Sequence, residues 1–240
     1  MWFDVSTVEA IRNAIPAWLG VVLLFVTFLG SVYVIVPGVV LAYVTGDRRR
    51  TATWPGTVIG GYGLFITLKP LFSITRPPVD PPFSPDLLPT LLSPLYDLGV
   101  GPSSASFPSG HAVAVTVFWG LVAVDLSIGS SWKRLAGCVL VISLVGFSRV
   151  ALGVHYPGDI VGGIAIGGLY LGGMVLLRRR VSKPVTATVL IGTVCAAGGL
   201  LSGRTLDAAT LITAAAVTAL FSRHLGGDAG RAARFELRSD

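Results

Sequence analysis

The chain alternates between long apolar runs and short joints that hold most of its charge. A helix needs about 20 apolar residues to cross a bilayer, and that length sorts the runs. Residues 17–45 form one run too long for an upright span, so it must tilt or break at Pro37-Gly38. A short second span covers about 54–68 and is closed by Lys69. Further spans are expected at about 111–128, 135–152, 160–177, 185–202 and 206–222. Residues 1–16 read as an interfacial helix, with Trp2, Phe3 and Trp18 at the depth that amphipathic aromatics favour. Residues 76–105 form a proline-rich loop. Its weakly apolar patch, 87–98, is broken by Pro89 and Pro94 and reads as a re-entrant or interfacial segment. The tail from Arg223 is polar, basic and expected to fray. The pattern therefore predicts an all-α, polytopic transmembrane bundle of about six or seven spans. Its parts are an interfacial segment at 1–16, a membrane domain at 17–222 and a polar cytoplasmic tail at 223–240.

Composition agrees. The chain is 52% hydrophobic and only 12% charged, with a mean hydropathy of +0.77, far from a soluble domain. A net charge of +6 raises the question of nucleic acid. The cations, however, sit in clusters between apolar runs without interleaved aromatics, which argues against a nucleic-acid partner. Cys138 and Cys195 both fall inside apolar runs and read as packed side chains, not as a disulfide or metal ligands. Asp4 and Glu9, with no basic region before the first run, argue against a cleaved signal. The glycine-rich stretches 158–173 and 192–203 suit close helix contact in lipid.

The charges orient the bundle. If Arg48, Arg49 and Arg50 face the cytoplasm, so do Lys133, Arg134, Arg178, Arg179, Arg180, Lys183 and the four tail arginines, making 13 of the 18 basic residues. The N-terminus is then outside. Arg12, Lys69, Arg76, Arg149 and Arg204 remain on the outer side against the positive-inside rule.

Three of those exceptions fall in three short segments that the topology brings to one face. These are Lys69 with Arg76-Pro77, then Pro108-Ser109-Gly110-His111, then Ser148-Arg149 with His155 and Asp159. An arginine, a histidine and an aspartate at the end of a hydrophobic run suggest a phosphate clamp, a nucleophile and an orienting carboxylate. At these residues the chain resembles the phosphatidic acid phosphatase type 2 superfamily, which also includes vanadium haloperoxidases and lipid phosphate phosphatases. The family pattern is a lysine, six intervening residues and Arg-Pro, then Pro-Ser-Gly-His, then Ser-Arg, five residues, His, three residues and Asp. All three parts are complete and in order between 69 and 159.

The resemblance implies phosphoryl transfer, and the residue types suit it. Lys69, Arg76 and Arg149 can neutralise a phosphate, the arginines by bidentate contact. Ser109, Gly110 and the first N–H groups of the third span offer a helix N-terminus to an anion, and Gly110 allows close backbone approach. His155 is the expected nucleophile, Asp159 its orienting partner one helical turn away, and His111 the general acid. Ser148 is expected to donate a supporting hydrogen bond. Asp80 and Tyr156 could line the entrance. Asp125 reads as an interfacial charge. No cofactor and no metal are expected. The expected activity is hydrolysis of a lipid phosphate or isoprenoid pyrophosphate at the extracytoplasmic face, through a phosphohistidine. The alternatives are a vanadate-dependent peroxidase and a protein that only binds or transports a lipid phosphate. The many spans disfavour the first, and the complete set of chemical residues disfavours the second.

Overall fold

A computed structural model describes residues 2–101 and 105–236, with side chains through 222. Among the described residues it contains eleven α-helices and no strand. The helices are α1 (Val5–Asn13), α2 (Ala17–Thr27), α3 (Val32–Thr45), α4 (Arg48–Thr51), α5 (Trp54–Phe72), α6 (Ser93–Val100), α7 (Gly110–Asp125), α8 (Ser131–Ala151), α9 (Pro157–Arg180), α10 (Pro184–Leu201) and α11 (Thr205–Glu236).

By length and composition, α8, α9, α10 and residues 205–222 of α11 are long and apolar enough to cross a membrane. α3 and α7 are shorter apolar helices, and α5 has 19 residues. The expected interfacial segment is α1, which bends by 114° into the segment Ala17–Gly30. α11 continues to Glu236, so the backbone stays helical where the tail was expected to fray; the side chains there, His224 included, lie outside the described residues.

The long first run breaks, but not at Pro37-Gly38. The break is at Phe28–Gly30, a single 3₁₀ turn ended by extended Ser31. Its freed carbonyls find donors: Ser31 Oγ donates to Phe28 O at 2.8 Å and Trp119 Nε1 to Leu29 O at 3.2 Å. α3 passes through Pro37 without interruption. Gly38 serves packing, since a side chain there would run into the Phe118 ring.

α7 lies at the centre, between α5, α8 and α9. It is apolar all round, and its residues Ala112–Phe118 are buried, as expected of a helix with neighbours on every side. α10 packs closely on α5. A Cβ at Gly56 would come within 2.6 Å of the Val189 nitrogen, and one at Gly192 within 2.5 Å of Gly56 O. In lipid, helix association depends on such contact because apolar burial gives little driving force. Gly163 and Gly167 meet α7 in the same way, whereas Gly168, Gly172 and Gly173 face open space, so only part of the glycine-rich stretch is an interface.

Asp125, the last residue of α7, is a paired and buried group and not a solvated charge. It is buried, accepts Nη1 and Nη2 of Arg178 at 2.6 and 2.5 Å, and accepts Trp54 Nε1 at 2.8 Å. This pair ties α5, α7 and α9 together at the end of the bundle opposite the motif residues.

Candidate active site

The three motif segments meet at one end of the bundle, and the local structure explains their spacing. α8 ends in a Schellman turn. Val154 N–H donates to Arg149 O at 3.2 Å and Gly153 N–H to Val150 O at 2.9 Å, with Gly153 left-handed at φ 75°. Arg149 therefore sits in the last turn, and His155 follows as soon as the chain has reversed. Pro157 then opens α9 at the position where its missing N–H costs nothing. Asp159 is third in the helix, and its Oδ2 accepts the Tyr156 N–H at 2.8 Å. A carboxylate at this position caps the helix and also faces back toward residue 155.

His155 Nδ1 lies 3.1 Å from Asp159 Oδ2, so the expected pair forms. Both side chains are buried. The same oxygen also accepts a short hydrogen bond from Ser106 Oγ, which is 3.4 Å from His155 Nδ1. Ser106 was missed by sequence reasoning; a lone serine beside Pro108 carries no pattern. Asp159 Oδ2 is thus a hub for three groups, while Oδ1 is buried with no donor among the described residues.

The cations surround this pair. Lys69 is buried in the last turn of α5 and donates from Nζ to Ala105 O at 2.9 Å. Ser73 ends that helix in the left-handed conformation and turns the chain toward Arg76. Ser106 N–H donates to Ile74 O at 2.7 Å, which lays the 74–76 segment beside the 105–108 segment. Arg76 Nη1 donates to Gly101 O at 3.1 Å. Arg149 Nη1 donates to Thr27 Oγ1 at 3.0 Å and Gly99 O at 2.5 Å. Thr27 is a second missed residue. It stands just before the unexpected break, and Gly99 belongs to α6, which overlaps the patch expected to be re-entrant or interfacial. The Nε–H groups of Arg76 and Arg149 are buried without an acceptor among the described residues.

His111 is half-buried in the first turn of α7, within electrostatic reach of Arg149, His155, Lys69 and Arg76. Ser109 caps α7, its Oγ accepting the Ala112 N–H at 3.4 Å, and its own N–H donates to Asp159 O at 3.1 Å. A Cβ on Gly110 would come within 2.9 Å of the Phe65 ring, so the glycine makes room for that ring. Ser148 does not reach the site: its Oγ donates to Val145 O at 2.7 Å within α8. Asp80 offers its carbonyl to Arg12 Nε at 2.8 Å, and buried Tyr156 stacks edge-on against Phe3.

His155 stands outside the spanning helices. Burial, then the charges of Arg149, Arg76 and Lys69, hold its imidazole well below the usual histidine range. Its neutral form is therefore the stable one. Lys69, Arg76 and Arg149 against Asp159 leave an excess of two positive charges around the imidazole.

An apolar groove of about 480 Å³ borders this site, lined by Trp2, Phe3, Phe72, Ile74, Phe107 and Val161. It is continuous with the polar cluster through the chain: Phe107 follows Ser106, and Phe72 and Ile74 lie between Lys69 and Arg76. Gly158 N–H donates to Trp2 O at 2.8 Å, which holds the N-terminal wall in place.

The profile of the PAP2 superfamily matches residues 51–183, which hold every motif residue above. The chain is 30% identical to phosphatidylglycerophosphatase B of Bacillus subtilis over 172 residues, 67% of this chain and 77% of the relative. It is 27% identical to an undecaprenyl-diphosphatase of Sulfolobus acidocaldarius over 162 residues, 67% of this chain and 71% of the relative. A decaprenylphosphoryl-5-phosphoribose phosphatase of Mycobacterium tuberculosis is 42% identical over 67 residues, 27% of this chain and 32% of the relative. The fold matches the crystal structure of a transmembrane PAP2-type phosphatidylglycerolphosphate phosphatase from Bacillus subtilis, with a TM-score of 0.61 at 23% identity, over 75% of this chain and 86% of that one. An all-helical membrane bundle, three complete motifs at one end and a profile match over more than half the length agree: the chain is a membrane phosphatase and belongs to the PAP2 superfamily.

Proposed function

We propose that this protein hydrolyses a lipid phosphomonoester or an isoprenoid pyrophosphate through a phosphohistidine intermediate, without a metal. The observation that carries the reading is the charge arrangement at His155. Lys69, Arg76 and Arg149 exceed Asp159 by two positive charges, and two guanidinium Nε–H groups have no acceptor among the described residues. Buried donors without acceptors are costly, and a phosphate supplies the oxygens they lack.

In this mechanism the three cations and the first N–H groups of α7, which Ser109 and Gly110 open, hold the phosphoryl oxygens. Asp159 and Ser106 occupy the Nδ1 side of His155, which leaves Nε2 to attack phosphorus. As the N–P bond forms, the bond to the leaving oxygen breaks, and His111 gives that oxygen a proton. His111, now neutral, takes a proton from water, whose oxygen attacks the phosphohistidine. Phosphate leaves and neutral His155 returns. The cations do the work that a metal does elsewhere, balancing charge on the transferring group.

The apolar groove supports a substrate with a hydrocarbon chain, since Phe72, Ile74, Phe107 and Gly158 in its wall are chain neighbours of the motif residues. The relatives' names, which include phosphatidylglycerophosphatase and undecaprenyl-diphosphatase, point to the same substrate class. The distribution of arginine and lysine supports a topology in which the catalytic end is extracytoplasmic and the 48–50 and 178–183 joints are cytoplasmic. The catalytic unit in this reading is 17–222.

The test is phosphate release from a lipid phosphate in detergent with EDTA, by wild type and His155→Ala. Wild type should turn over and the variant should lose at least about a thousandfold. Undiminished release by the variant, or abolition of wild-type release by EDTA, overturns the mechanism.

A further inference from the structure

The end of the bundle opposite His155 holds a second cationic concavity, of about 250 Å³, lined by Arg49, Arg50, Thr53, Asp125, Arg178 and Arg179. About 28 Å of α9 separates Arg178 from Asp159, at 1.5 Å per residue, so this is not part of the catalytic cluster.

Its floor is built and neutral. Arg178 donates to both oxygens of Asp125, and its Nη1 also lies 3.3 Å from Thr53 Oγ1. Trp54 Nε1 adds a third donor to Asp125. Thr53 is fixed in turn by donating to Arg50 O at 2.6 Å. The one buried carboxylate in the hollow thus already accepts three hydrogen bonds from its own floor, and Arg178 balances its charge. On the rim, Arg50 has a loose partner in Asp47 at 3.7 Å, with both side chains more than half exposed. Arg49 and Arg179 are exposed, and neither side chain has a hydrogen bond or ion pair among the described residues. Their charges come from different elements, α4 and the last turn of α9, and converge on one hollow.

Positive-inside topology explains why arginines occur in these joints. It does not require them to converge on a concavity, nor a bidentate pair and a tryptophan beneath them. We infer that this hollow is a second phosphate-binding site, which takes the anionic headgroup of a phospholipid. Arginine forks suit phosphate oxygens, the hollow lies where α7 and α9 end, which for spanning helices is headgroup depth, and Val124 and Pro184 add apolar lining.

The test uses the full chain purified in detergent and native mass spectrometry. Phosphatidylglycerol, an anionic phosphodiester, is the probe, and phosphatidylcholine is the control. Wild type and Arg76→Gln, which alters only the catalytic end, should retain phosphatidylglycerol equally. Arg49→Gln/Arg179→Gln should retain it roughly tenfold or more weakly, with an unchanged melting temperature. Inorganic phosphate that displaces the lipid at millimolar levels would assign recognition to the phosphate group alone. Failure to displace it would assign the site to the whole headgroup. Equal retention by the double variant, or equal retention of phosphatidylcholine by wild type, overturns the inference. Since the readout is binding, it stands or falls independently of catalysis at His155.

Discussion

Ser106 and His155 share one acceptor: both reach Oδ2 of Asp159, from segments 49 positions apart in sequence. The serine hydroxyl fixes the carboxylate, and the carboxylate fixes the imidazole. Ser106 is thus a positioning residue. Ser106→Ala should lower kcat roughly tenfold and leave KM nearly unchanged, because the phosphate contacts remain. Ser106→Thr, which keeps the hydroxyl, should recover part of the loss. Steady-state kinetics on both variants checks this; a rise in KM with constant kcat would instead make Ser106 a substrate contact.

The depressed imidazole of His155 has a definite consequence for pH. A lowered value means that the neutral nucleophile persists as pH falls through the usual histidine range, near 6.5. The acid limb of kcat/KM, which reports the free enzyme, should therefore lie below that range. Arg76→Gln removes one of the charges that oppose protonation, so the limb should move to higher pH while the plateau also falls. A limb that stays in place, or moves down, would show that Arg76 does not act on His155.

The groove predicts chain dependence. Phe72 is half exposed, ends α5 and stacks edge-on against Phe107 at 4.7 Å. Phe72→Ala removes an aromatic wall, and KM for a long-chain lipid phosphate should rise roughly tenfold, the worth of part of one buried aromatic side chain. Turnover of p-nitrophenyl phosphate, which has no chain, should change less than about twofold. Equal losses on both substrates would mean that the substitution disturbs the polar site and that the groove holds no chain.

Orientation can be read by labelling. Thr90 lies exposed in the loop on the catalytic side, and Ser131 is exposed at the start of α8 on the other. Thr90→Cys should react with an impermeant maleimide in intact cells, and Ser131→Cys only after permeabilisation. The reverse pattern would invert the topology.

Much of this was legible from residue order because charge is conspicuous in an apolar chain. Lys69, Arg76, Arg149, His155 and Asp159 stand out for that reason, and the turn geometry of 149–159 accounts for their intervals. What was not legible depended on partners far away in sequence. Pro37-Gly38 carries the stronger local breaking signal, yet the chain breaks at 28–31, where Trp119 satisfies a freed carbonyl and Phe118 fills the space over Gly38. Thr27 and Ser106 are ordinary residues until folding brings Arg149 and Asp159 against them. Asp125 and Arg178, 53 positions apart, each looked like a charge at a helix end; only the packing of α7 against α9 makes them a pair.

α9 also acts as a ruler. Its 24 residues span about 36 Å, longer than the roughly 30 Å hydrocarbon core of a typical bilayer. It carries Asp159 in its first turn and closes with the arginines of the opposite hollow. Such a helix accommodates a thinner membrane by leaning further, and it leans as one body. Whatever its tilt, this single helix fixes the distance between Asp159 and the opposite hollow.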